Sequence, residues 1–254
     1  MLTNPQNSPT MPMTRSAFVE SSHLLVDRLA ATRTRIAAAA LRYRRDPSSV
    51  ALLAVSKQQS ADVVRVAAQS GQRQFGENYL QEALPKIASL RELEVIWHFI
   101  GQIQSNKTRQ IAEHFDWVHT VDRLKIAERL SEQRPAGMTA LNLCIQIKLA
   151  EEQGKGGVKC SDVLPLARQI AALPRLRLRG LMCIPPPRET FDEQLQLFRA
   201  ATQALRSLTA AGLEVDTLSM GMSADLEAAI AAGATIVRVG TAIFGERQKV
   251  TDEV

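Results

Sequence analysis

From residue 50 onward, short apolar runs alternate with helical stretches, and this alternation constrains the fold more than any other feature. There are eight such runs, and seven are followed by a stretch with helical spacing of apolar residues. The runs are continuously apolar, which is typical of parallel strands buried on both faces. Eight strand–helix units of this kind predict an α/β fold, a closed TIM-type (β/α)8 barrel. The runs, each with its helix, are 50–55 with 61–70, 74–75 with 80–90, 95–100 with 105–114, 117–121 with 124–133, 141–147 with 161–173, 178–184 with 191–211, 217–220 with 224–232, and 236–239 with a short end.

The segments before and after these units differ from them in composition. Residues 16–45 carry apolar side chains at helical spacing and predict a long amphipathic helix. Residues 1–14 are polar and Pro-rich and lack a basic patch followed by an apolar core, so they predict a disordered leader and not a signal peptide. We therefore expect one domain over residues 15–248, a barrel with an extra N-terminal helix, and a tail over residues 249–254. An open doubly wound sheet is the alternative, although the Gly-rich fingerprint that would follow its first strand is absent.

Composition and charge narrow the partners and the compartment. The 31 basic and 26 acidic residues give a net charge of +5, the basic residues are dispersed, and aromatic residues make up only 4%. We expect no nucleic-acid partner, because single-strand binding needs aromatic platforms beside basic residues. No apolar run approaches the length of a membrane span, so we expect no membrane contact. The three cysteines (Cys144, Cys160 and Cys183) are widely spaced and lack a CxxC pair, which favours a reducing, cytoplasmic location over a disulfide framework.

A lysine stands at the end of the first strand, where chemistry in a parallel barrel is expected. Lys57 follows the apolar run 51–55 almost directly, so it lies where a buried strand opens into the mouth of the barrel. Loss of solvation there favours the neutral amine, which allows a Schiff base to form near neutral pH. The alternative is a lysine that extends outward and pairs with an acidic loop. Position alone does not decide between the two.

The last two strands both end in small polar residues. Barrels often bind phosphate after these strands, through loop amides and hydroxyl groups. Gly221 lets the backbone approach a ligand, and Ser223 is placed to cap the helix 224–232. Ordinary turns also use Gly and Ser, but two such turns on adjacent strands favour a phosphate site. Its candidate residues are Ser219, Gly221, Ser223, Gly240 and Thr241.

A Schiff-base lysine beside a phosphate cradle indicates pyridoxal 5'-phosphate, whose aldehyde and phosphate need these two features. Arg238 lies on the last strand beside the cradle, and we expect its cation to face the pyridine nitrogen. A permanent cation there would keep that nitrogen unprotonated and weaken the ring as an electron sink. An ion pair with a neighbouring carboxylate is the alternative for Arg238. The four histidines show no ligand spacing, so we predict no metal site.

Six segments of the chain match one known family in the family's own order. They are Val55-Ser56-Lys57; Phe75-Gly76-Glu77-Asn78-Tyr79 with Gln81-Glu82; Trp97-His98-Phe99-Ile100-Gly101 with Gln104-Ser105-Asn106-Lys107; Leu178-Arg179-Gly180-Leu181-Met182; Ser219-Met220-Gly221-Met222-Ser223 with Asp225; and Val237-Arg238-Val239-Gly240-Thr241-Ala242-Ile243-Phe244-Gly245. Over residues 16–247 the chain resembles the pyridoxal phosphate homeostasis proteins (the YggS/PROSC family).

The resemblance implies a single barrel like the N-terminal domain of bacterial alanine racemase. It also implies that pyridoxal 5'-phosphate is held as a Schiff base on Lys57, with Asn78 near the ring and Arg238 toward the pyridine nitrogen. Members of the family bind, buffer and deliver this cofactor, with no established catalytic reaction. The residues for which the resemblance implies phosphate contacts are Ser219, Ser223, Gly240 and Thr241.

One residue departs from the family pattern. Lys148 stands at the end of the fifth strand, where the family leads us to expect Asn. A second cation at the mouth of the barrel would alter how that wall holds the cofactor.

Two other functions use the same kind of barrel. An amino-acid racemase resembling this fold takes its second base, a Tyr, from an extra β domain; here the chain ends soon after the eighth strand, and its two tyrosines are Tyr43 and Tyr79. An aldolase-like barrel would use Lys57 on a sugar phosphate, but Glu77 is the only obvious carboxylate at the mouth for an acid–base relay. We therefore expect a carrier that supplies pyridoxal-phosphate-dependent apoenzymes. With no dimer-forming domain in view, we expect a monomer.

Overall fold

The computed structural model of the protein describes residues 15–149 and 156–246, and eight strands of these residues close into a parallel barrel. The predicted (β/α)8 barrel is thereby confirmed. A two-residue strand that was not predicted, β6 (Val158–Lys159), pairs only with the end of β5 and lies outside the closed ring. The barrel strands are β1 (Ala51–Val55), β2 (Gln74–Glu77), β3 (Ile96–Phe99), β4 (Trp117–Val121), β5 (Leu141–Lys148), β7 (Leu176–Cys183), β8 (Thr217–Ser219) and β9 (Ile236–Val239).

The first and last strands of the barrel are neighbours, and this pairing brings distant parts of the sequence together. Leu53 of β1 lies beside Arg238 of β9, and Ala54 lies beside Val239. On the opposite side the ring closes where Trp117 of β4 pairs with Asn142 of β5. Because all these strands are parallel, the loops after β1, β8 and β9 emerge side by side at one end of the barrel.

Amphipathic helices cover the outside of the barrel, as the sequence pattern predicts. The residues that α5 buries, among them Ile126 and Leu130, lie at helical spacing and face the strands. The longest covering helix, α7, begins with a capping box in which Thr190 and Glu193 bond each other's backbone. The covering helices are α2 (Ala61–Gln69), α3 (Leu80–Ser89), α4 (Thr108–His114), α5 (Leu124–Gln133), α6 (Val163–Ala171), α7 (Phe191–Ala210) and α8 (Leu226–Ala232), and a short α9 (Thr241–Phe244) follows β9.

The helix that precedes the barrel, α1 (Arg15–Arg42), is predicted by the sequence and packs against α2, α8 and α9. Leu25, Leu29 and Ile36 are buried along this contact. Arg33 adds hydrogen bonds to the Ser70 carbonyl oxygen and to Gln72 Oε1, each 3.2 Å long. The first and last strand–helix units are therefore held together from outside by one helix.

The predicted leader over 1–14 and the predicted tail over 249–254 lie outside the described residues. Among the described helices, none combines the length and the apolar character that crossing a membrane requires. One predicted helix start is wrong, because α8 begins at Leu226 and Ser223 does not cap it. The Asp225 carboxylate instead accepts the Met222 N–H at 2.6 Å and holds residues 222–225 in a turn.

Candidate functional site

A cleft of about 310 Å³ opens at the carboxyl ends of the strands, between the loops that follow β1, β2, β8 and β9. Six of the eight residues predicted from the sequence line it. Apolar side chains that the sequence did not single out as site residues complete the wall, and they are Val55, Ile100, Met182, Ile184, Met222 and Ala224. The predicted residues in the lining are Lys57, Asn78, Ser223, Arg238, Gly240 and Thr241.

Lys57 enters the cleft from a backbone segment that is fixed on both sides. The Ser56 carbonyl oxygen, just before it, accepts a hydrogen bond of 2.8 Å from Lys86 Nζ. The Gln58 N–H, just after it, donates to Glu82 Oε2 at 2.8 Å. Gln58 also holds a left-handed conformation (φ +62°), which is uncommon for a residue with a side chain and costs free energy. Two side chains of one helix, α3, thus fix the direction in which the half-buried Lys57 leaves the strand.

The loop after β8 approaches the cleft through a residue that has to be glycine. Gly221 has φ +92°, and a Cβ atom there would lie 2.5 Å from the Ala229 Cβ atom. Its carbonyl oxygen accepts the Arg238 N–H at 2.9 Å, which joins this loop to β9. The carbonyl oxygen of Ser223, further along the loop, accepts a hydrogen bond from Arg35 of α1 at 2.8 Å. Gly221 itself does not line the cleft, but its conformation brings Ser223 to it.

The loop after β9 lies beside the start of the Lys57 segment. Gly240 and Thr241 follow Val239, which pairs with Ala54 of β1. The Gly240 carbonyl oxygen accepts the Ile243 and Phe244 N–H groups and starts α9, while Thr241 is exposed at the rim. Together with Ser223, these residues place two hydroxyl groups and a short run of backbone beside the lysine.

Arg238 forms part of the cleft floor and is only 4% exposed. Its Nη1 donates to Ser219 Oγ at 2.8 Å, and its Nη2 donates to the Cys183 carbonyl oxygen at 2.9 Å. Within the described part of the chain no carboxylate forms an ion pair with it, so the ion-pair alternative finds no support there. Burial lowers the pKa of the guanidinium from its usual value, but an arginine keeps its charge in proteins.

Ser219 is fully buried below Arg238 and does not line the cleft. Its hydroxyl group contacts Arg238 and, at 2.8 Å, the Nδ1 atom of His119. His119 in turn lies 2.9 Å from His98, through its Nε2 atom and the His98 Nδ1 atom. The phosphate contact expected of Ser219 stays a prediction. Sequence reasoning missed these buried histidines because they show no ligand spacing and because Ser219, the partner of His119, lies 100 positions away in the sequence.

Asn78 and Lys148 both line a cavity next to the cleft. Asn78 is half-buried, and its Oδ1 atom is buried without a hydrogen-bond partner in the described structure. It lies between the cleft and a second cavity of about 250 Å³, which Lys148 lines. The departure at Lys148 therefore concerns this neighbouring cavity and leaves the lining of the first cleft unchanged.

Glu77 and Tyr79, two acid–base groups considered for the alternative functions, do not line the cleft. Glu77 is fully buried and pairs with Lys86 at 2.8 Å, so the expectation that it is a carboxylate at the mouth is wrong. Tyr79 is 50% exposed and lines a different, outer cavity. Among the described residues, no group of three or more His, Cys, Asp or Glu side chains could hold a metal ion.

The cleft fits a small aldehyde that carries a ring and an anionic group. Its volume is at the lower end of the range for small-molecule sites, which is about 300–1,000 Å³. Lys57 offers an amine for the aldehyde, Arg238 offers a cation in the cleft floor, and the Ser223, Gly240 and Thr241 groups offer partners for an anion. The unpartnered Oδ1 atom of Asn78 is a further group that a ligand would satisfy.

The chain is similar over most of its length to proteins already known. The profile of a family described as "Alanine racemase, N-terminal domain" matches residues 28–248. The Pyridoxal phosphate homeostasis protein of Pseudomonas aeruginosa is 55% identical over 223 residues, which are 88% of this chain and 96% of that protein. The protein of the same name from Escherichia coli is 52% identical over 222 residues, covering 86% and 95%. The solved structure of PipY from Synechococcus elongatus with PLP bound is 40% identical, with a TM-score of 0.77 and coverage of 87% of this chain and all of that one.

Proposed function

We propose that this chain binds pyridoxal 5'-phosphate, buffers it and supplies it to other proteins. The chain belongs to the alanine racemase N-terminal domain family and, within it, to the pyridoxal phosphate homeostasis proteins. One observation carries the proposal. Lys57, Arg238 and the loops that hold Ser223 and Gly240 line a single cleft, although they lie up to 184 positions apart in the sequence. The PLP-bound structure of the similar protein PipY supports the choice of ligand.

Lys57 holds the cofactor covalently in this proposal. When bound, the cofactor would supply an aldehyde for the Lys57 Nζ amine, and this condensation would release water, so no oxidant or reductant would be needed. Asn78, Ser223, Arg238, Gly240 and Thr241 are the residues proposed to contact the rest of the molecule. Ser219 and Gly221, which do not line the cleft, are proposed to act there through Arg238 and through the loop after β8.

The cleft is suited to holding the cofactor more than to using it in a reaction. When bound, the cofactor supplies an electron sink, and it does so best when its pyridine nitrogen is protonated. Arg238 has no proton to release to that nitrogen and accepts none, so it favours the unprotonated ring. Apart from Lys57, the described lining contains no tyrosine, histidine, cysteine or carboxylate that could exchange protons with a substrate. A racemase, which needs two such groups, is therefore the weaker proposal.

A titration of the purified protein with pyridoxal 5'-phosphate, followed by visible absorption, tests the function. We expect stoichiometric binding to the native chain and no covalent absorption band with Lys57→Ala. Ser223→Ala, which keeps the lysine, should bind more weakly while retaining the band. Racemisation of alanine by the loaded protein above the rate of free cofactor would overturn the carrier proposal in favour of the racemase.

The setting that we infer for this function is the cytoplasm, with the chain acting as a monomeric barrel over residues 15–248. The recipients are apoenzymes that depend on pyridoxal 5'-phosphate.

Transfer is tested by adding loaded protein to such an apoenzyme and comparing its activation with that by an equal total concentration of free cofactor. If the loaded protein supplies its cofactor, it should activate the apoenzyme fully. If it only retains the cofactor, it should slow activation in proportion to the concentration of the loaded protein. Light scattering on the eluting protein tests the monomer.

A further inference from the structure

A line of hydrogen-bonded side chains lies inside the barrel below the cleft. It runs from Arg238 to Ser219, from Ser219 to His119 and from His119 to His98, with distances of 2.8, 2.8 and 2.9 Å. All four side chains are buried, at 4% exposure or less. They come from β9, β8, β4 and β3, so the line spans the barrel interior. We call it the interior relay.

Counting hydrogens gives the interior relay a direction. Arg238 can only donate, so Ser219 Oγ accepts from it, and the single Ser219 hydrogen is then free to go to His119 Nδ1. In that case His119 donates from Nε2 to His98 Nδ1, and only the His98 Nε2–H stays without a partner. The reverse direction leaves two buried groups unpartnered, the Ser219 hydroxyl hydrogen and the His98 Nε2 lone pair. An unpartnered buried polar group costs about 1–3 kcal/mol, so the first arrangement is favoured.

Both imidazoles of the interior relay are neutral. Complete burial lowers the pKa of His98 from 6.5 to about 3. Burial, and to a lesser degree the charges of His98 and Arg238, lower the pKa of His119 well below 6.5. The interior relay therefore holds one cation, Arg238, next to a chain of hydrogen-bond acceptors.

We propose that His119 is a positioning residue for Arg238, acting through the Ser219 hydroxyl group. By accepting the Ser219 hydrogen, His119 turns an oxygen lone pair toward Arg238 Nη1, while the Cys183 carbonyl oxygen holds Nη2. The guanidinium is thus fixed at two points in one orientation within the cleft that it lines. The inference rests on the proposed function in that the bound ring is what this orientation would serve.

Two substitutions of His119 separate positioning from simple packing. An Asn side chain places its amide near the Nδ1 position and can still accept from Ser219, whereas Gln places its amide near Nε2 and contacts only His98. For His119→Asn we expect affinity for pyridoxal 5'-phosphate and the wavelength of its bound absorption band to stay near those of the native protein. For His119→Gln we expect the affinity to fall about tenfold or more, since a hydrogen bond to a charged group contributes about 1.5–3 kcal/mol. Equal losses in the two variants would overturn the proposal.

Two measurements on the cofactor-free protein test the inference without relying on binding. The ¹⁵N chemical shifts of the native protein should show His119 and His98 unprotonated at Nδ1 and protonated at Nε2. In crystal structures, Arg238 should leave Ser219 in His119→Gln and stay in place in His119→Asn. A proton on His119 Nδ1, or an unmoved Arg238 in the Gln variant, would overturn the proposal. If the native protein bound no cofactor, the proposed function would fail, while these two measurements would still decide the role of His119.

Discussion

Lys86 of α3 donates a hydrogen bond of 2.8 Å to the carbonyl oxygen of Ser56, the last backbone group before Lys57. The same ammonium group pairs with Glu77 Oε1 at 2.8 Å, and the Ser56 hydroxyl donates to that oxygen at 2.6 Å. The side chains of Lys86 and Glu77 are 8% and 0% exposed. A buried ion pair, located behind the strand, therefore fixes the backbone from which the Schiff-base lysine of our proposal extends.

Replacing Lys86 should destabilise the protein and weaken cofactor binding for separate reasons. In Lys86→Met the Glu77 carboxylate is left buried without its cation, which costs about 3–5 kcal/mol of unfolding free energy. The Ser56 carbonyl oxygen also loses its donor, so Lys57 is held less firmly. Urea unfolding and cofactor titration measure the two effects.

The double variant Glu77→Gln, Lys86→Met separates these effects. It removes the unpaired charge, so we expect it to recover most of the lost unfolding free energy. The Ser56 carbonyl oxygen still lacks its donor, so the weaker cofactor binding should remain. Full recovery of binding along with stability would mean that Lys86 acts only as a counter-ion.

Gly221→Ala should destabilise the chain more than Gly212→Ala. Both glycines have positive φ, +92° and +85°, so both substitutions impose the backbone strain of about 1–2 kcal/mol that a side chain meets there. A Cβ atom at Gly212 meets nothing within 4 Å, whereas at Gly221 it would lie 2.5 Å from Ala229. Overpacking should add about 1–3 kcal/mol at Gly221, and only this variant should lose cofactor affinity. Thermal unfolding with cofactor titration compares the pair, and equal destabilisation would contradict the crowding at Gly221.

Stability should fall on acidification because of the buried histidines. The pKa of His98 is about 3 in the folded chain, against a reference value of 6.5. The unfolded chain therefore binds the extra proton first, and the stability present above pH 6.5 is lost as the pH falls from 6.5 toward 3. For His98 alone this amounts to about 2 kcal/mol between pH 7 and pH 5.

Urea unfolding of the native protein and of His98→Asn at pH 7 and pH 5 measures this contribution. The difference between the two pH values should be about 2 kcal/mol smaller in the variant. His23→Gln, at an exposed site, is the control and should keep the native difference. An unchanged difference in His98→Asn would show that His98 does not titrate in this range.

The strands and the candidate site were predictable for the same reason, which is that local pattern and strand direction determine both. Continuously apolar runs locate β1 and β9, and the ends of parallel strands must meet at one edge, so Lys57 and Gly240 were expected together. The start of α8 was predicted wrongly, because the Asp225 side chain competes for the Met222 N–H and keeps residues 222–225 out of the helix.

The polar interior was not predictable from local pattern. His119 and Ser219 are 100 positions apart and meet only because the ring closes through the pairing of β4 with β5, which brings β4 and β8 within reach of each other inside the barrel. In the sequence each is a polar residue within or near the end of a mostly apolar run, as in many strands. Their hydrogen bond depends on the register and the radius of the barrel, which cannot be inferred from any single segment of the sequence. Lys86 was missed similarly, since nothing in α3 indicates that a lysine on its buried face reaches the end of β1.

The most direct test of the account is borohydride reduction of the loaded protein followed by mass spectrometry of its peptides. Reduction converts the carbon–nitrogen double bond of a Schiff base into a stable single bond, so the attached lysine can be identified. We expect one modified peptide, carrying a reduced pyridoxal 5'-phosphate group on Lys57, and no specific modification in Lys57→Ala. Modification of another lysine in the native protein, such as Lys148, or an equal yield in Lys57→Ala, would contradict the central claim.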